Sequence, residues 1–315
     1  ERQAEGLSIS HAIEMWRSLE NDAASPSLTE SAPLLIPGAG ETMLDQLRGN
    51  WIAACLAYDE PAAELALSKA MAITAPEVVC SELLQKGLAE LGEGWYAGKF
   101  SVQQEHFASA LAARRLHALL AAAPNPTRPG RLLAACPPGE AHDLALLMLA
   151  FVLRWRGWDV VYLGANVPLG RLDATLQSTK PRMVLSVAQT LPGVAALREM
   201  ADYVNAQNIP LAYGGGIFNH IPALAERIPG QFLGHELNAV PQVIERLLSR
   251  PVVPPVPAPL PAAYTAALDG FKEKEALIIS AVHRSLQHSP IDPRHLDEAN
   301  LNLSRAIMSA LNLGD

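Results

Sequence analysis

Several things are scarce in this sequence of 315 residues. Aromatic residues make up 5% of it and charged residues 18%. No apolar run approaches the ~18 residues that a membrane-spanning helix needs. Nothing at its start reads as a signal peptide. There are three cysteines, Cys55, Cys80 and Cys136, widely spaced and without a Cys-x-x-Cys pair. This excludes a disulfide framework or a cysteine-based zinc site, and it fits a reducing cytoplasm. Basic residues are outnumbered, with 24 Lys and Arg against 32 Asp and Glu and a net charge of −8. A chain this acidic is a poor DNA ligand taken as a whole. No Ser-His-Asp set, phosphate-binding glycine loop or catalytic carboxylate pair stands out, so an enzyme is not expected. Against these gaps, half of the residues are hydrophobic and mean hydropathy is +0.13. That excludes a disordered or fibrous chain. At roughly 150 residues per domain, about two domains are expected.

Periodicity divides the chain. Residues 7–19 carry apolar residues at helical spacing behind a Ser cap, and residues 20–40 are rich in Ser, Pro and Gly and read as a linker. Residues 41–123 are helical throughout, with helices expected over 41–57, 59–71, 75–94 and 101–122. Four helices with short loops suggest an up-down bundle. Past a second linker at 124–130 the period changes. Strand-like runs at 131–136, 159–163, 183–188, 210–213 and near 231–233 alternate with helical stretches at 141–156, 168–178, 192–207, 217–227 and 238–249. This alternation predicts a Rossmann-like parallel sheet with helices on both faces, over 130–250. Residues 251–262 hold six prolines and read as a stiff spacer. Two amphipathic helices, about 263–287 and 293–312, form a hairpin over 263–315. It is too small to stand alone, and is expected to pack on a neighbour or on a second copy. The fold class is therefore α plus α/β: a four-helix bundle, a parallel-sheet domain and a C-terminal helical hairpin.

Ligands of parallel sheets bind at the carboxyl ends of the strands. Three features fall there. His142 follows strand one, in the expected first turn of a helix, with Glu140 two residues earlier as an acceptor to orient its ring. Ser186 ends strand three. Gly214-Gly215-Gly216 ends strand four, where missing side chains let a ligand approach the backbone. Two of them alone have ordinary readings: a solvated histidine for His142 and a tight turn for the glycines. Their combination is more specific than any one. His220 and His235, after the fourth and fifth strands, are further candidates to line a pocket. His283, His288 and His295 lack the spacing of a metal site. Cys136 reads as a small core residue.

The constellation resembles the cobalamin-binding domain, whose pattern stands here as Glu140-Ala141-His142-Asp143-Leu144-Ala145, Ser186-Val187-Ala188 and Gly214-Gly215. Ala145 and Ala188 depart from the Gly and Leu usual at those places. The bundle carries Trp95 and, after nine residues, Glu105-His106. That spacing resembles the cap of CarH-type B12-dependent photoreceptors, regulators with a MerR-type DNA-binding domain. The resemblance covers roughly 41–250. It implies His142 as lower ligand to cobalt and Glu140 as its orienter. It implies a nucleotide tail passing Ser186, Gly214 and Gly215. It implies Trp95 over the adenosyl group of adenosylcobalamin, with Glu105 and His106 hydrogen-bonded to it. Residues 1–19 resemble the last helix of a MerR-type domain, whose winged-helix part would precede Glu1 and contact DNA. A cytoplasmic homo-oligomer, dimer or tetramer, without membrane attachment is expected. The best-known members place a His after the Trp to capture cobalt in the light. Tyr96 stands there in this chain, so imidazole capture from that position is not expected. Two other readings are a corrinoid methyl carrier of a methyltransferase system and a photoreceptor with a second tetrapyrrole such as a bilin.

Overall fold

The computed structural model describes residues 42–250, 253, 255–257, 259, 261–286 and 293–313. The expected MerR-like helix and linker of 1–40 lie outside them. The bundle consists of α1 (Met43–Leu56), α2 (Glu60–Ile73), α3 and α4 (Val102–Ala121). The third helix runs unbroken through Pro76–Val78, Val79–Gln85 and Lys86–Tyr96, and its middle stretch is π-helical. Local chemistry sets the starts. Thr42 and Asp45 form a reciprocal capping box, as do Ser101 and Gln104, and Asp59 caps α2 ahead of Pro61. Each supplies an acceptor to a backbone N–H that has no partner inside the helix.

The second half alternates β1 (Arg131–Ala135), α5 (Leu144–Trp155), β2 (Asp159–Gly164), α6 (Leu172–Thr179), β3 (Met183–Val187), α7 (Leu191–Asn205), β4 (Leu211–Gly214), α8 (Ile217–His220), β5 (Gln231–Phe232) and α9 (Val240–Leu248). Where one helix was expected over 217–227, α8 ends at His220 and Pro222–Arg227 is a 3-10 turn. Pro222 cannot donate into a continuing helix. The five strands are parallel, in the order β2-β1-β3-β4-β5. The chain therefore reverses its direction of travel across the sheet between β1 and β3. The loops after those two strands flank the crevice in which such sheets take ligands.

Alternate strand residues face opposite layers, as the pleat requires. Leu132, Ala134, Met183, Leu185 and Val187 share one core with α5 and with the bundle residues Leu83, Leu111 and Leu116. Leu133, Val184 and Ala188 share the other with α6, α7 and Phe218. The bundle is thus not a separate body. It is seated on the largely apolar helix α5 through a continuous core. Two polar contacts tie the seam: Arg156 donates to Glu77 at 2.6 Å, and Arg154 donates to the Leu120 carbonyl at 3.2 Å. The hairpin, α10 (Ala262–Leu286) and α11 (Pro293–Leu313), is anchored on its own chain: α11 packs against α7, and Leu313 is fully buried in that core.

Candidate functional site

Residues 137–143, between β1 and α5, carry the site. His142 does not lie in a helix, as α5 begins at Leu144. The loop is held instead by Glu140, which is fully buried. One carboxylate oxygen accepts the His142 backbone N–H at 3.0 Å and meets His142 Nδ1 at 2.7 Å. The other accepts the Gln189 N–H at 2.8 Å and, more loosely, the Thr190 hydroxyl at 3.5 Å. A buried carboxylate is costly unless its lone pairs are used, and here both oxygens are engaged. Burial pushes the Glu140 pKa up, but the His142 ring and the Gln189 and His142 amides outweigh it, so the group stays below the ordinary carboxylate range. The Glu140 bond raises the His142 pKa, with burial working against it and the charges of Glu140, Glu105 and Asp143 adding to it. With Nδ1 committed to Glu140, Nε2 is the nitrogen left to the half-exposed outer side of the ring.

The room for this carboxylate comes from an unexpected residue. A Cβ at Gly193, in the first turn of α7, would lie 2.3 Å from Glu140 Oε2. Thr190 caps the same turn by accepting the Gly193 N–H. The Asn166 side chain accepts the Gly139 N–H, and its backbone N–H donates to the Glu140 carbonyl. None of these was singled out in the sequence, although Thr190-Leu191-Pro192 has the look of a helix start, which could have drawn attention to Gly193.

The glycines after β4 behave differently from one another. Gly215 has φ +130°, and a Cβ there would meet the Ala188 carbonyl oxygen at 1.8 Å, so only glycine lets the ends of β3 and β4 approach. Gly214 has nothing within 4 Å of its Cβ position, leaving open space at the sheet edge. Ser186 is fully buried, and its hydroxyl donates to the Met200 sulfur at 3.8 Å. Sulfur is a weak acceptor, so the hydroxyl keeps capacity for a polar ligand group in the seam between β3 and α7.

Helix α3 ends and α4 begins at the same end of the bundle. Trp95 is half-buried in the last turn of α3, next to the half-buried Tyr96. Glu105, in the first turn of α4, accepts the Ser109 hydroxyl at 2.6 Å and pairs with His106 Nδ1 at 2.9 Å. His106 is 72% exposed. Helix α4 packs along α5, and the charge of Glu105 reaches His142. A further tie runs through Tyr162 on β2, whose hydroxyl donates to Asp143 at 2.7 Å and whose ring meets His117 of α4 edge-on.

The remaining candidates sit elsewhere. His235 is hydrogen-bonded to Asn219 and stacked edge-on against Phe232, beyond β5. Cys136 is buried, and burial pushes its thiol up to about 12, so it is no nucleophile. Among the described residues no cluster of three or more His, Cys, Asp or Glu could hold a metal ion. A single imidazole fixed by a buried carboxylate, beside a side-chain-free strand edge, fits a metal that brings its own equatorial ligands. Among the described residues no helix is long and apolar enough to cross a membrane.

Two family models match, both described as B12 binding domain, over residues 48–120 and 130–244. The HTH-type transcriptional repressor CarH of Myxococcus xanthus is 32% identical over 185 residues, 57% of this chain and 58% of that protein. The HTH-type transcriptional repressor CarA of Myxococcus xanthus is 29% identical over 226 residues, 70% of each chain. Among solved structures, the Methanosarcina barkeri monomethylamine corrinoid protein superposes with a TM-score of 0.51 at 14% identity, over 65% of this chain and 98% of that one. That likeness supports the bundle-plus-sheet fold. The match to the first of these repressors leaves over a third of its length outside this chain.

Proposed function

We propose that this chain, a CarH-type B12-binding protein in both of its modules, is the cofactor-sensing part of a light-responsive transcriptional regulator. The observation that carries the reading is the pairing of His142 with the buried Glu140 at the carboxyl edge of the sheet, in the loop that leads into the helix against which α4 packs. His142 would present Nε2 to the cobalt of a cobalamin, with Glu140 holding Nδ1 protonated and the ring in register. Gly214 and Gly215 would give the nucleotide tail a path along the sheet edge, with Ser186 as a polar contact in the adjoining seam. When bound, adenosylcobalamin supplies a cobalt–carbon bond that visible light breaks.

The chain's own part is to register whether the adenosyl group is present. Trp95 would cover it with an indole face, burying apolar area that a methyl group could not fill. Glu105 and His106 would hydrogen-bond it. These contacts tie α3 and α4 to the sheet edge in the dark and are lost once the group leaves. A ligand that contacts one arrangement of cap and sheet better than another shifts the population between them, and its removal shifts it back. In this reading the shift changes assembly, and through assembly the DNA binding of an attached domain. The roles of the two repressors named above support DNA as the eventual partner. The protein is read as a sensor and not as an enzyme.

The test is a dark titration of the chain with adenosylcobalamin, followed by illumination, with the visible spectrum and sedimentation recorded at each stage. The reading expects a bound spectrum perturbed by His142 and a light-dependent change in sedimentation. A chain that takes methylcobalamin equally well and sediments identically in dark and light would be a corrinoid carrier instead. A spectrum with linear-tetrapyrrole bands would mark a second chromophore.

A further inference from the structure

Gln189 follows β3 and precedes Thr190, the cap of α7. It bonds in two directions. Its backbone N–H donates to Glu140 Oε2 at 2.8 Å. Its side chain reaches the turn after β4, where Oε1 accepts the Gly216 N–H at 2.8 Å. One residue thus joins the loop that carries His142 to the glycine turn. Its neighbour reinforces the join: the Ala188 N–H donates to the Gly214 carbonyl at 3.1 Å, and Gly215 lies against the Ala188 carbonyl. Gly216 is not a glycine for backbone reasons. Its φ of −62° and ψ of −29° suit any residue. A Cβ there would lie 2.9 Å from Gln189 Oε1, and no other atom outside the adjoining residues lies within 4 Å. The third glycine of the triplet therefore makes room for a side chain of the protein itself, whereas Gly214 leaves open space.

We infer that Gln189 is a positioning residue for the cofactor: it locks the turn that the nucleotide tail passes to the carboxylate that orients His142. The inference rests on the cobalamin reading given above. A corrinoid with a tail would be held at two points, its cobalt by His142 and its tail along the glycine turn. Two-point attachment is strong only when the spacing of the points is set beforehand, because freedom left between them is lost on binding. Ala188 fixes the start of the turn through backbone contacts to Gly214 and Gly215. The end of the turn, Gly216, is fixed by the Gln189 side chain. Removing that side chain leaves the backbone bond to Glu140 in place. The His142 anchor then stays as it is while the tail anchor loosens. Gln189 acts through this spacing and not by touching the metal.

The experiment compares three variants of the whole chain. Gln189→Met keeps the length of the side chain but replaces the oxygen with a weak acceptor. Gly216→Ala adds a methyl group that displaces the Gln189 oxygen. The third variant combines the two. Each is titrated in the dark with adenosylcobalamin and with adenosylcobinamide, the same corrin without its nucleotide tail. Each single variant should bind adenosylcobalamin about five- to tenfold more weakly and adenosylcobinamide within about twofold of the parent. The double variant should lose no more than the weaker single, because both changes break one bond. Hydrogen exchange of the chain without cofactor separates this inference from the function it rests on. In Gln189→Met the Gly216 amide should exchange faster, while the Ala188 amide does not change. Equal weakening of both corrinoids would make Gln189 part of the fold or of the His142 anchor, and would overturn the inference. Unchanged binding or unchanged Gly216 exchange would overturn it too. A parent that binds neither corrinoid, with exchange as expected, would bring down the cobalamin reading and the positioning role with it.

Discussion

The two faces that meet at the candidate site are built on different terms. On the sheet side, Glu140 is fully buried and receives the His142 amide and ring, the Gln189 amide and the Thr190 hydroxyl. Its neighbours are fixed by backbone from two loops, and Gly193 is cut to fit it. On the bundle side, Glu105 bonds to its helix neighbours Ser109 and His106, and His106 is largely exposed. Under the proposed function this contrast separates binding from sensing. A ligand for the metal has to be pre-set, because any freedom left in the ring is lost on binding. A surface that reports the presence of a ligand has to gain its contacts from that ligand.

This contrast can be broken by mutation, and the effects should fall in a definite order. His142→Ala removes the imidazole proposed to face the metal and should have the largest effect, near-complete loss of the bound spectrum in a cobalamin titration. Glu140→Ala leaves the ring but frees it, and affinity in the same titration should fall about 10–100-fold. If binding were unaffected, the sheet side would not be pre-set. Gly193→Ala should follow, because its methyl group lands on the Glu140 carboxylate; weaker binding with an unchanged circular dichroism spectrum is expected. Trp95→Ala should leave cobalamin affinity within a few-fold of the parent while abolishing the light-dependent change in sedimentation. Loss of affinity comparable to Glu140→Ala would make the bundle side a binding element instead.

The seam between bundle and sheet offers the smallest effect. Burial pushes Glu77 up, but its bonds to Arg156 dominate and hold its pKa below the ordinary value. A carboxylate depressed in the fold contributes stability that is present above its unfolded pKa and lost as pH falls through the folded one. Glu77→Gln should therefore cost about 1–2 kcal/mol near neutrality and progressively less in acid, read from urea melts at several pH values.

Much of the fold was legible in the chain because it depends on near neighbours. The apolar helical spacing, the breaks at Pro61 and Pro76 and the change from helical to strand period after 130 place the bundle and the strands within a few residues of their observed ends. Glu140 and His142 were readable for the same reason, since a carboxylate two residues before a histidine can reach its ring without help from the rest of the fold. The helix expected over His142 was misplaced. The Glu140 bonds that hold 140–142 as a loop come from residues 49 and 50 positions away.

Other features were decided only by tertiary structure, because they join parts of the chain that no local pattern links. Ser186 was legible as a strand-end residue, but only the crossing of β3 with α7 turns it inward to Met200. Gly193 is unremarkable in sequence and is required only because Glu140 arrives from another loop. The order of the strands, which puts the loops after β1 and β3 side by side, follows from the packing of helices on two faces. The seating of the bundle on α5 and of α11 on α7 follows from which apolar faces fit each other. Sequence by itself determined the elements and the chemistry of the Glu140–His142 pair, through capping, periodicity and reach. Tertiary structure decided what surrounds that pair, because burial and long-range contact are properties of the packed chain.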